Sequence, residues 1–513
     1  MQLEQKQNHT EMYIQESQKS LDFSKWYSHI ISESELIEYS DVSGCYILRP
    51  WAYSIWEQIQ SYMNEKLKEM GVQNAYFPLF VSEEALNKEK DHLEGFAPEV
   101  AWVTHAGNSK LERKIAVRPT SETIMYPVFS RWIRSHRDLP LKLNQWANVV
   151  RWEFKDPMPF IRSREFLWQE GHTAYATKEE ADKEVYDILE LYRSVYEELL
   201  AVPVIKGIKT DHEKFAGADY TTTVEAFIPF AGKGIQAGTS HSLGQNFSKI
   251  FNINFEDGCE HKLVWQNSWG LTTRSIGIMI MTHSDDKGLV LPPNVAPIQV
   301  VIVPIYKKGE EKTVVDTAYC LLAQLKKGKI RVELDDSTIH TPGWKYNYWE
   351  KKGVPMRLEI GSRDIEKQEV VLVSRLGKRT STTWFDLVSK VQRRLDEFQK
   401  ELFEKATVIK KLCTNKTTNW NDFVCLINTL NICLVPFCLE KECEEHIKLK
   451  FLDATKKELE SLDIVRQIEL KSKLTGSIKS LCIPLEQEEM LDQYKCIGCE
   501  NKAKKWCLFG RSY

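Results

Sequence analysis

Two short charged segments joined by a polar loop constrain the fold of this chain more than any other feature. The first is Arg151-Trp-Glu153, and the second runs from Arg162 to Glu170. On a β-strand every second side chain lies on the same face, and the spacing in both segments fits such a strand. We therefore predict a strand-loop-strand hairpin with cations, carboxylates and aromatic rings on one face, from Arg151, Glu153, Phe166, Trp168, Glu170 and His172.

Such a face suits a nucleotide. A guanidinium can bind a phosphate through two parallel hydrogen bonds, an aromatic ring can stack on a purine, and a carboxylate can accept a hydrogen bond from an exocyclic amine. The alternative is an exposed hairpin with cross-strand ion pairs, which are common and contribute little.

A second segment, from Gln266 to Arg274, has small side chains at alternate positions. Glycine lets a ligand approach the backbone closely, so we expect a ligand-binding face made by Ser268, Gly270, Thr272 and Arg274. The apolar run from Ser275 to Met281 also fits a buried strand that enters a core helix. That alternative leaves Arg274 unexplained, and we expect Arg274 to reach a phosphate from the side opposite Arg151.

A third segment runs from Gly71 to Pro78. A helical pattern from Trp51 to Met70 ends at Gly71, and an apolar strand is expected to follow. Because proline cannot donate to a strand ladder, Pro78 indicates a strand edge or a contact between subunits.

Taken in chain order, the segments 71–78, 151–170 and 266–274 resemble the three signature motifs of class II aminoacyl-tRNA synthetases. More narrowly, residues Phe23 to Tyr513 resemble prolyl-tRNA synthetases of the archaeal and eukaryotic cytosolic type. The narrower resemblance rests on Arg118-Pro-Thr-Ser-Glu122, Lys214-Phe-Ala-Gly-Ala-Asp-Tyr-Thr221, Gly238-Thr-Ser-His241, Leu289-Val-Leu-Pro-Pro293 and Leu508-Phe-Gly-Arg-Ser-Tyr513. Synthetases for threonine, serine, glycine or histidine would share the ATP motifs, but Thr120 with Glu122, the Lys214 segment and the terminal Tyr513 favour proline.

The resemblance implies activation of L-proline with ATP and its transfer to the 3′ end of tRNA(Pro). The implied proline site consists of Thr120, Glu122, Arg151, Trp168, Glu170, His172, Phe215 and His241. The implied ATP site consists of Arg151, Glu153, Arg162, Ser163, Phe166, Gln236, Thr239, Thr272 and Arg274. Neither step needs a nucleophilic side chain, so the catalytic groups would be Arg151, Arg162 and Arg274. Mg²⁺ would be held mainly by the ATP phosphates.

Alternatives remain for single residues and for the whole chain. His172 also fits a structural histidine, and Phe215 also fits the core. A synthetase-like regulator that binds tRNA without catalysis would be the alternative function. Such a protein typically lacks an ATP-site arginine, whereas Arg151, Arg162 and Arg274 are all present here.

Nine of the twelve cysteines lie beyond residue 410. Disulfide bonds are not expected in a chain that looks cytosolic. The spacings Cys438-x4-Cys443 and Cys496-x2-Cys499 suit a structural zinc site with four thiolate ligands, and the family's C-terminal domain has such pairs. We expect packed thiols at Cys413, Cys425, Cys433 and Cys482.

The expected fold is a multidomain α/β protein. Residues 1–22 would be a polar, flexible tail with a helical portion, and 23–295 a class II catalytic domain with an antiparallel β-sheet flanked by helices. Residues 296–402 would form a mixed α/β anticodon-binding domain, and 403–513 a small α/β zinc-binding domain. No large editing domain fits between Glu170 and Ser268, so some activation of alanine or cysteine is expected.

Residues 296–401 carry an excess of five positive charges, although the net charge of the chain is −3. The pattern there predicts strands at 299–304, 329–333, 356–360 and 369–374, and helices at 313–326, 343–352 and 384–403. Contact with the tRNA anticodon is expected from Arg357, Glu359 and Arg363, and a solvated charged surface is the alternative. Two residues depart from the family pattern, Ser284 in place of glycine and Ser362 in place of proline.

Composition limits the location and the partners. Hydrophobic residues make up 42% of the chain, and no apolar stretch approaches the roughly 18 residues of a membrane helix. The first residues are polar and acidic, unlike a secretory or organelle leader. We expect a cytoplasmic protein without membrane or DNA partners, and the resemblance implies a homodimer.

Overall fold

The computed structural model describes residues 18–90, 99–153, 155–460 and 476–513. In these residues the helices are α1 (Gln18–Leu21), α2 (Phe23–Glu33), α3 (Pro50–Glu69), α4 (Glu83–Lys90), α5 (Glu122–Trp132), α6 (Lys178–Ser194), α7 (Asn246–Phe251), α8 (Arg274–His283), α9 (Glu311–Lys327), α10 (Pro342–Lys351), α11 (Ser362–Lys367), α12 (Leu387–Leu412), α13 (Trp420–Asn428) and α14 (Lys441–Glu460). A 3₁₀ turn (His136–Asp138) and a π-helical turn (Val195–Leu199) complete them.

The strands are β1 (Ile37–Tyr39), β2 (Tyr46–Leu48), β3 (Gln73–Asn74), β4 (Phe80–Ser82), β5 (Trp102–Ala106), β6 (Ser109–Val117), β7 (Leu141–Val150), β8 (Glu165–Tyr175), β9 (Ile205–Ile208), β10 (Tyr220–Ile228), β11 (Lys233–Gly244), β12 (Asn254–Asp257), β13 (Glu260–Leu263), β14 (Trp265–Thr272), β15 (Val300–Ile305), β16 (Val332–Leu334), β17 (Met356–Gly361), β18 (Glu369–Ser374), β19 (Arg379–Thr383), β20 (Thr414–Lys416), β21 (Ile432–Phe437), β22 (Ile478–Pro484) and β23 (Lys505–Ser512).

An eleven-stranded sheet in the described structure has the order β20-β21-β23-β22-β9-β10-β11-β14-β8-β7-β3. Its neighbouring strands are antiparallel except at the two ends, where β20 and β3 run parallel to their partners. The C-terminal strands have no separate sheet, because β22 pairs with β9 at Ile483 opposite Ile208. The C-terminal region therefore extends the catalytic sheet.

The predicted hairpin is confirmed in β7 and β8, where Val150 pairs with Glu165. The prediction that Arg151 and Glu153 lie on the strand is wrong, because β7 ends at Val150. The backbone N–H of Trp152 is donated to Glu99 O at 2.9 Å instead of to a β8 carbonyl. The first segment therefore leaves the ladder as it reaches the loop.

Alternation along β14 separates the apolar core from a polar face. Trp269 and Leu271 belong to a core cluster that also contains side chains of α2, α3, α6 and α8. Gly171 lies opposite Trp269 on β8, and a Cβ atom there would lie 2.2 Å from the Trp269 ring. Arg274 is the first residue of α8 rather than part of the strand, so β14 does lead into a core helix.

The third segment differs from its prediction. The helix α3 spans Pro50–Glu69, close to the predicted limits, but the strand after Gly71 is only the two exposed residues of β3. This strand is the edge of the large sheet, and Pro78 lies outside it. Neighbouring large apolar side chains are exposed, with Tyr76 at 74% and Phe80 at 51%.

Residues 296–401 form the predicted mixed sheet. In it β15 is parallel to β16 and to β17, whereas β18 is antiparallel to β17 and to β19. The last helix starts at Leu387 and continues to Leu412, past its predicted end at Phe403. Past Phe403, Ile409 packs against a cluster that contains Phe227 and Leu508, and Lys410 Nζ donates to Val204 O at 3.1 Å, so the extension is held by contacts with other parts of the chain. The elements α11 and β19 were not predicted, because their polar sequences lack an apolar pattern.

Residues 1–17 of the predicted tail lie outside the described residues. The helical portion is confirmed by α1, but the flexible prediction is wrong for its residues because Lys19 is buried. Lys19 Nζ donates to Ser284 O at 2.7 Å and lies 4.5 Å and 4.7 Å from the ring centres of Trp26 and Phe230. Burial lowers the pKa of Lys19 to about 7. No helix within the described ranges is long and apolar enough to span a bilayer.

Candidate active site

A cavity of about 350 Å³ lies on the polar face of the large sheet. Strands β8, β10, β11 and β14, the loop after β7 and the first residues of α5 and α8 contribute to its wall. The lining includes every residue predicted for the proline and ATP sites except Arg162. The tertiary structure thus gathers side chains from positions 120 to 274.

Strand register arranges these side chains in rows. Across β8, β14 and β11 the rows are His172–Ser268–His241 and Glu170–Gly270–Thr239, followed by Trp168 beside Thr272. Phe166 and Arg274 lie beyond the last row. On these strands the residues predicted for proline lie towards the His172 end of the rows, and those predicted for ATP lie towards the Phe166 and Arg274 end, although Glu170 shares a row with Thr239 and Trp168 lies beside Thr272. We call these two ends of the cavity the proline half and the nucleotide half.

Glu170 is the centre of a buried hydrogen-bond network. Its Oε1 accepts hydrogen bonds from Gln145 Nε2 at 2.8 Å and from the Ser121 hydroxyl, and its Oε2 lies 3.1 Å from His172 Nε2. Burial alone would raise the pKa of Glu170, but the hydrogen bonds and the charge of His172 outweigh it and lower this pKa. Burial would lower the pKa of His172, yet the contacts with Glu170 and the charge of Glu122 raise it.

A second carboxylate faces the same half. Glu122 is the first residue of α5, where the helix dipole favours negative charge, and its side chain is buried. The hydroxyl of Thr120 donates to Glu122 Oε2. Two carboxylates with a hydroxyl suit a secondary ammonium group, which needs hydrogen-bond acceptors and negative charge.

An aromatic wall closes this half. The Phe215 and His241 rings lie 4.7 Å apart between centres, and His241 Nδ1 is 2.9 Å from the Thr221 hydroxyl. Burial, together with the charges of His172 and Arg151, lowers the pKa of His241 to about 3, so the ring is neutral at physiological pH. A neutral, apolar wall suits an aliphatic ring.

Main-chain carbonyls position the arginines of the other half. Arg151 Nε donates to Pro119 O at 3.0 Å, and its guanidinium lies 5.7 Å and 5.4 Å from the Phe166 and Trp168 rings. Arg274 donates to Ile161 O at 3.2 Å and to Gln236 O at 3.1 Å. Burial lowers the pKa of Arg274. These contacts orient both cations without neutralising them.

The remaining predicted ATP-site residues line the same half, namely Glu153, Ser163, Phe166, Gln236, Thr239 and Thr272. Arg162 lies outside the lining. Burial lowers the pKa of Arg274 and the charge of Arg162 adds to that effect, whereas burial raises the pKa of Tyr513 and the charge of Arg162 opposes that rise. Arg162 therefore lies near both Arg274 and Tyr513.

Sequence reasoning missed the partners that orient the site. Ser121 belongs to the Arg118–Glu122 segment and Thr221 to the Lys214–Thr221 segment, but no role was predicted for either residue. Gln145 and Tyr126, which contact Glu170 and His172, had no signal apart from being polar groups in apolar surroundings. Such groups can be recognised only when their burial is known.

The four predicted metal-ligand cysteines converge. The Sγ atoms of Cys438, Cys443, Cys496 and Cys499 all lie within 4.8 Å of one another. Cys443 and Cys496 are 3.6 Å apart, and Cys438 and Cys499 are 3.8 Å apart. A tetrahedral ion with bonds of about 2.3 Å needs sulfur atoms about 3.8 Å apart, so the donor set fits zinc.

Burial raises the pKa of Cys443 and raises that of Cys438 to about 11. Deprotonation of these thiols therefore needs a positive charge, which a bound metal ion would supply. Among the cysteines predicted to be packed thiols, Cys413, Cys433 and Cys482 are buried. The prediction for Cys425 is wrong, because this residue lies on the exposed side of α13.

Three family models match the chain. The model for the tRNA synthetase class II core domain (G, H, P, S and T) matches residues 102–283, and an anticodon-binding domain model matches 299–399. The model for the C-terminal domain of prolyl-tRNA synthetase matches residues 420–513.

Curated relatives match nearly the full length. The cytoplasmic proline–tRNA ligase of Arabidopsis thaliana is 52% identical over 96% of this chain and 90% of its own length. The proline–tRNA ligase of Encephalitozoon cuniculi is 48% identical over 97% of this chain and 98% of its own. The chain belongs to the prolyl-tRNA synthetase family.

The family extends to bacterial relatives. The proline–tRNA ligase of Clostridium novyi is 45% identical over 96% of this chain and 97% of its own length. Membership in the prolyl-tRNA synthetase family agrees with the three-part α/β architecture and with a class II core on an antiparallel sheet.

Proposed function

We propose that the cavity carries out both steps of proline–tRNA ligation, with proline and ATP in the two halves described above. The chain is an aminoacyl-tRNA synthetase, specifically a proline–tRNA ligase, as its near full-length relatives establish. One observation supports the assignment to this cavity most strongly. Two buried carboxylates, Glu122 and Glu170, line the same cavity as Arg151 and Arg274, which donate to main-chain carbonyls.

The proline half would bind the substrate ammonium at Glu122, Thr120 and Glu170. His172 would orient Glu170, and the pyrrolidine ring would lie against Trp168, Phe215 and His241. Arg151 would bind the substrate carboxylate, because it stands between the two halves. In the other half, Phe166 would stack on adenine and Glu153 would accept from its amine, while Ser163, Gln236, Thr239 and Thr272 would bind the ribose and phosphates.

In the first step an oxygen of the proline carboxylate would attack the α-phosphorus of ATP, and pyrophosphate would leave. In the second step a hydroxyl of the terminal tRNA ribose would attack the carbonyl, and AMP would leave. Arg151 and Arg274 would stabilise the negative charge that develops on the phosphate oxygens. Arg162, which lies near Arg274 but outside the cavity lining, would add its positive charge. Class II synthetases use Mg²⁺, which would be held mainly by the phosphates.

We also propose tRNA(Pro) as the nucleic acid partner, bound through the five-stranded sheet. Glu359 is buried and pairs with Arg357 at 2.8 Å and Arg379 at 2.9 Å, so its contribution would be to orient these arginines. Arg357 and the exposed Arg363 would make the anticodon contacts.

Zinc at the four cysteines is proposed as a structural ion, because the cluster lies away from the cavity lining. Metal analysis of the purified protein should find about one zinc per chain. After removal of the metal, the C-terminal region should unfold at a lower temperature than the catalytic core.

A homodimer is proposed because large side chains near Pro78 are exposed, namely Tyr76, Phe80 and Trp132. Sedimentation that detected only the 59.7 kDa monomer at micromolar concentration would contradict it.

A cytoplasmic location is proposed from the name of the Arabidopsis relative. The domain boundaries proposed are 22/23, 295/296 and 402/403, although α12 runs through the last of these.

The decisive experiment is exchange of labelled pyrophosphate into ATP, screened over all standard amino acids. Proline should give the strongest signal, above alanine and cysteine. Absence of exchange with every amino acid, with and without tRNA, would contradict catalysis in this cavity and favour a silent tRNA-binding protein.

A further inference from the structure

A charged cluster connects the wall of the cavity to the C-terminal region. Glu213 lines the cavity, and its two carboxylate oxygens lie 3.5 Å from Lys448 Nζ and 3.0 Å from Lys479 Nζ. Lys448 lies on α14 and Lys479 on β22. The adjacent His212 adds a contact of 2.8 Å between its Nε2 and Glu445 Oε1. Two elements of the C-terminal region therefore hold one segment of the catalytic region.

The cluster has the composition of an ion-pair network rather than of a cation site. Side chains of His212, Glu213 and Glu444 come close enough to bind a cation. However, the two lysine ammonium groups already supply positive charge there. Burial would raise the pKa of Glu213, but the charges of Lys479 and Lys448 outweigh it and lower this pKa.

The segment that carries Glu213 also carries the aromatic wall of the proline half. The backbone N–H groups of Glu213 and Lys214 are both donated to Thr210 O, so the segment is a tight turn. Two residues further, the backbone N–H of Phe215 is donated to the Thr221 hydroxyl at 3.0 Å. The same hydroxyl contacts His241, whose ring lies against Phe215. A displacement of Glu213 would therefore move the Phe215 ring away from His241.

We propose that Lys448 and Lys479 are positioning residues for proline, because they hold Phe215 against His241 through Glu213. The inference rests on the proposed assignment of Phe215 and His241 to the proline site. The side chains of Lys448 and Glu213 are only 17% and 16% exposed, so water screens their attraction less than it screens a surface pair. Without the two lysines, the Glu213 carboxylate would lose the two ion pairs described above and would repel the carboxylate of proline more strongly.

In the nucleotide half, contacts within the catalytic region orient the two arginines that line the cavity. Arg151 and Arg274 are oriented by Pro119 O, Ile161 O and Gln236 O, all in the catalytic region. Loss of the lysines should therefore weaken the binding of proline and leave that of ATP unchanged. This separation distinguishes positioning from a general loss of structure.

The test is the full-length variant Lys448→Met/Lys479→Met, assayed by proline-dependent pyrophosphate exchange. The KM for proline should rise about five- to tenfold, while the KM for ATP changes less than about twofold. Hydrogen exchange of residues 210–216 should become faster. The matched control is Lys457→Met on the same helix, which removes an exposed lysine paired with Asp453 and should change neither KM.

A third variant tests the route through Glu213. In a Glu213→Gln background the two lysine substitutions should add less than about twofold to the KM for proline, because their charged partner is gone. Full additivity of the lysine substitutions with Glu213→Gln would overturn the inference. An unchanged KM for proline in the double lysine variant would also overturn it, and so would equal increases in the KM values for proline and ATP together with a lower melting temperature. Failure of the wild-type protein to exchange with proline would instead contradict the proposed function.

Discussion

The two halves of the cavity are built in different ways. In the proline half, the buried Glu170 carboxylate accepts a hydrogen bond from the Ser121 hydroxyl and contacts the ring of His172, and both of these side chains are also buried. In the nucleotide half, Arg151 and Arg274 donate to main-chain carbonyls, and within the described ranges neither forms an ion pair with a carboxylate. A small amino acid offers few groups for recognition, so its site must have a fixed shape before binding. ATP brings its own negative charge, so its cations must stay available.

The largest expected effect is that of Arg151→Ala. Loss of a cation that faces charge in the transition state should lower the rate of proline-dependent exchange at least about hundredfold, with the melting temperature unchanged. Arg131→Ala, on the exposed side of α5, is the control and should keep full activity. Near-normal exchange by the Arg151 variant would contradict a catalytic role for this cation.

Glu170→Gln should affect mainly the proline half. The new amide nitrogen would face the buried donors of Gln145, which costs about 1–3 kcal/mol of stability. The KM for proline should rise about ten- to hundredfold and that for ATP less than about threefold. Steady-state kinetics check this against Glu165→Gln, an exposed position on the same strand. Equal increases for both substrates would show that the halves are not independent.

Cys443→Ser tests whether the proline half depends on the C-terminal region. The residue lies on α14, the helix that carries Lys448, so loss of a metal ligand should raise the KM for proline about threefold and leave the KM for ATP unchanged. Zinc content measured by mass spectrometry should fall in the same variant. The exposed Cys425→Ser is the control, and an identical response from it would argue against the cluster.

The smallest effect concerns pH. The raised pKa of His172 makes its contribution to stability complete below its ordinary value of 6.5 and lost as the pH rises through the folded-state value. The lowered pKa of Glu170 makes its contribution present above 4.5 and lost as the pH falls through the folded-state value. The contribution of Glu170 and His172 to stability is therefore largest between about pH 4.5 and pH 6.5, the ordinary pKa values of the two groups.

His172→Asn should accordingly reduce the free energy of unfolding by about 1–2 kcal/mol near pH 5.5 and by less at alkaline pH. Urea denaturation over a pH series measures this difference. A reduction that stayed constant with pH would mean that His172 acts by packing alone.

Periodicity was informative where one face of an element is buried. The limits of α3, β17 and β18 agree closely with their patterns because their apolar faces pack on a core. Prediction failed where contacts distant in sequence decide the outcome. The extension of α12 is held by Ile409 against Phe227 and by Lys410 at Val204 O. The burial of Lys19 depends on two aromatic rings and on Ser284 O.

Residue types, their order and their alternation along strands predicted the hairpin of β7 and β8, the mixed sheet of residues 296–401 and the four-cysteine cluster, whereas the family was predicted from a resemblance to known motifs. These are local properties, because strand alternation and ligand chemistry depend on neighbouring residues. Only the tertiary structure decided that Glu170 is held by Ser121 and Gln145, that the C-terminal strands extend the catalytic sheet, and that Lys448 and Lys479 reach Glu213. Such contacts depend on how separate elements pack, which no local pattern specifies.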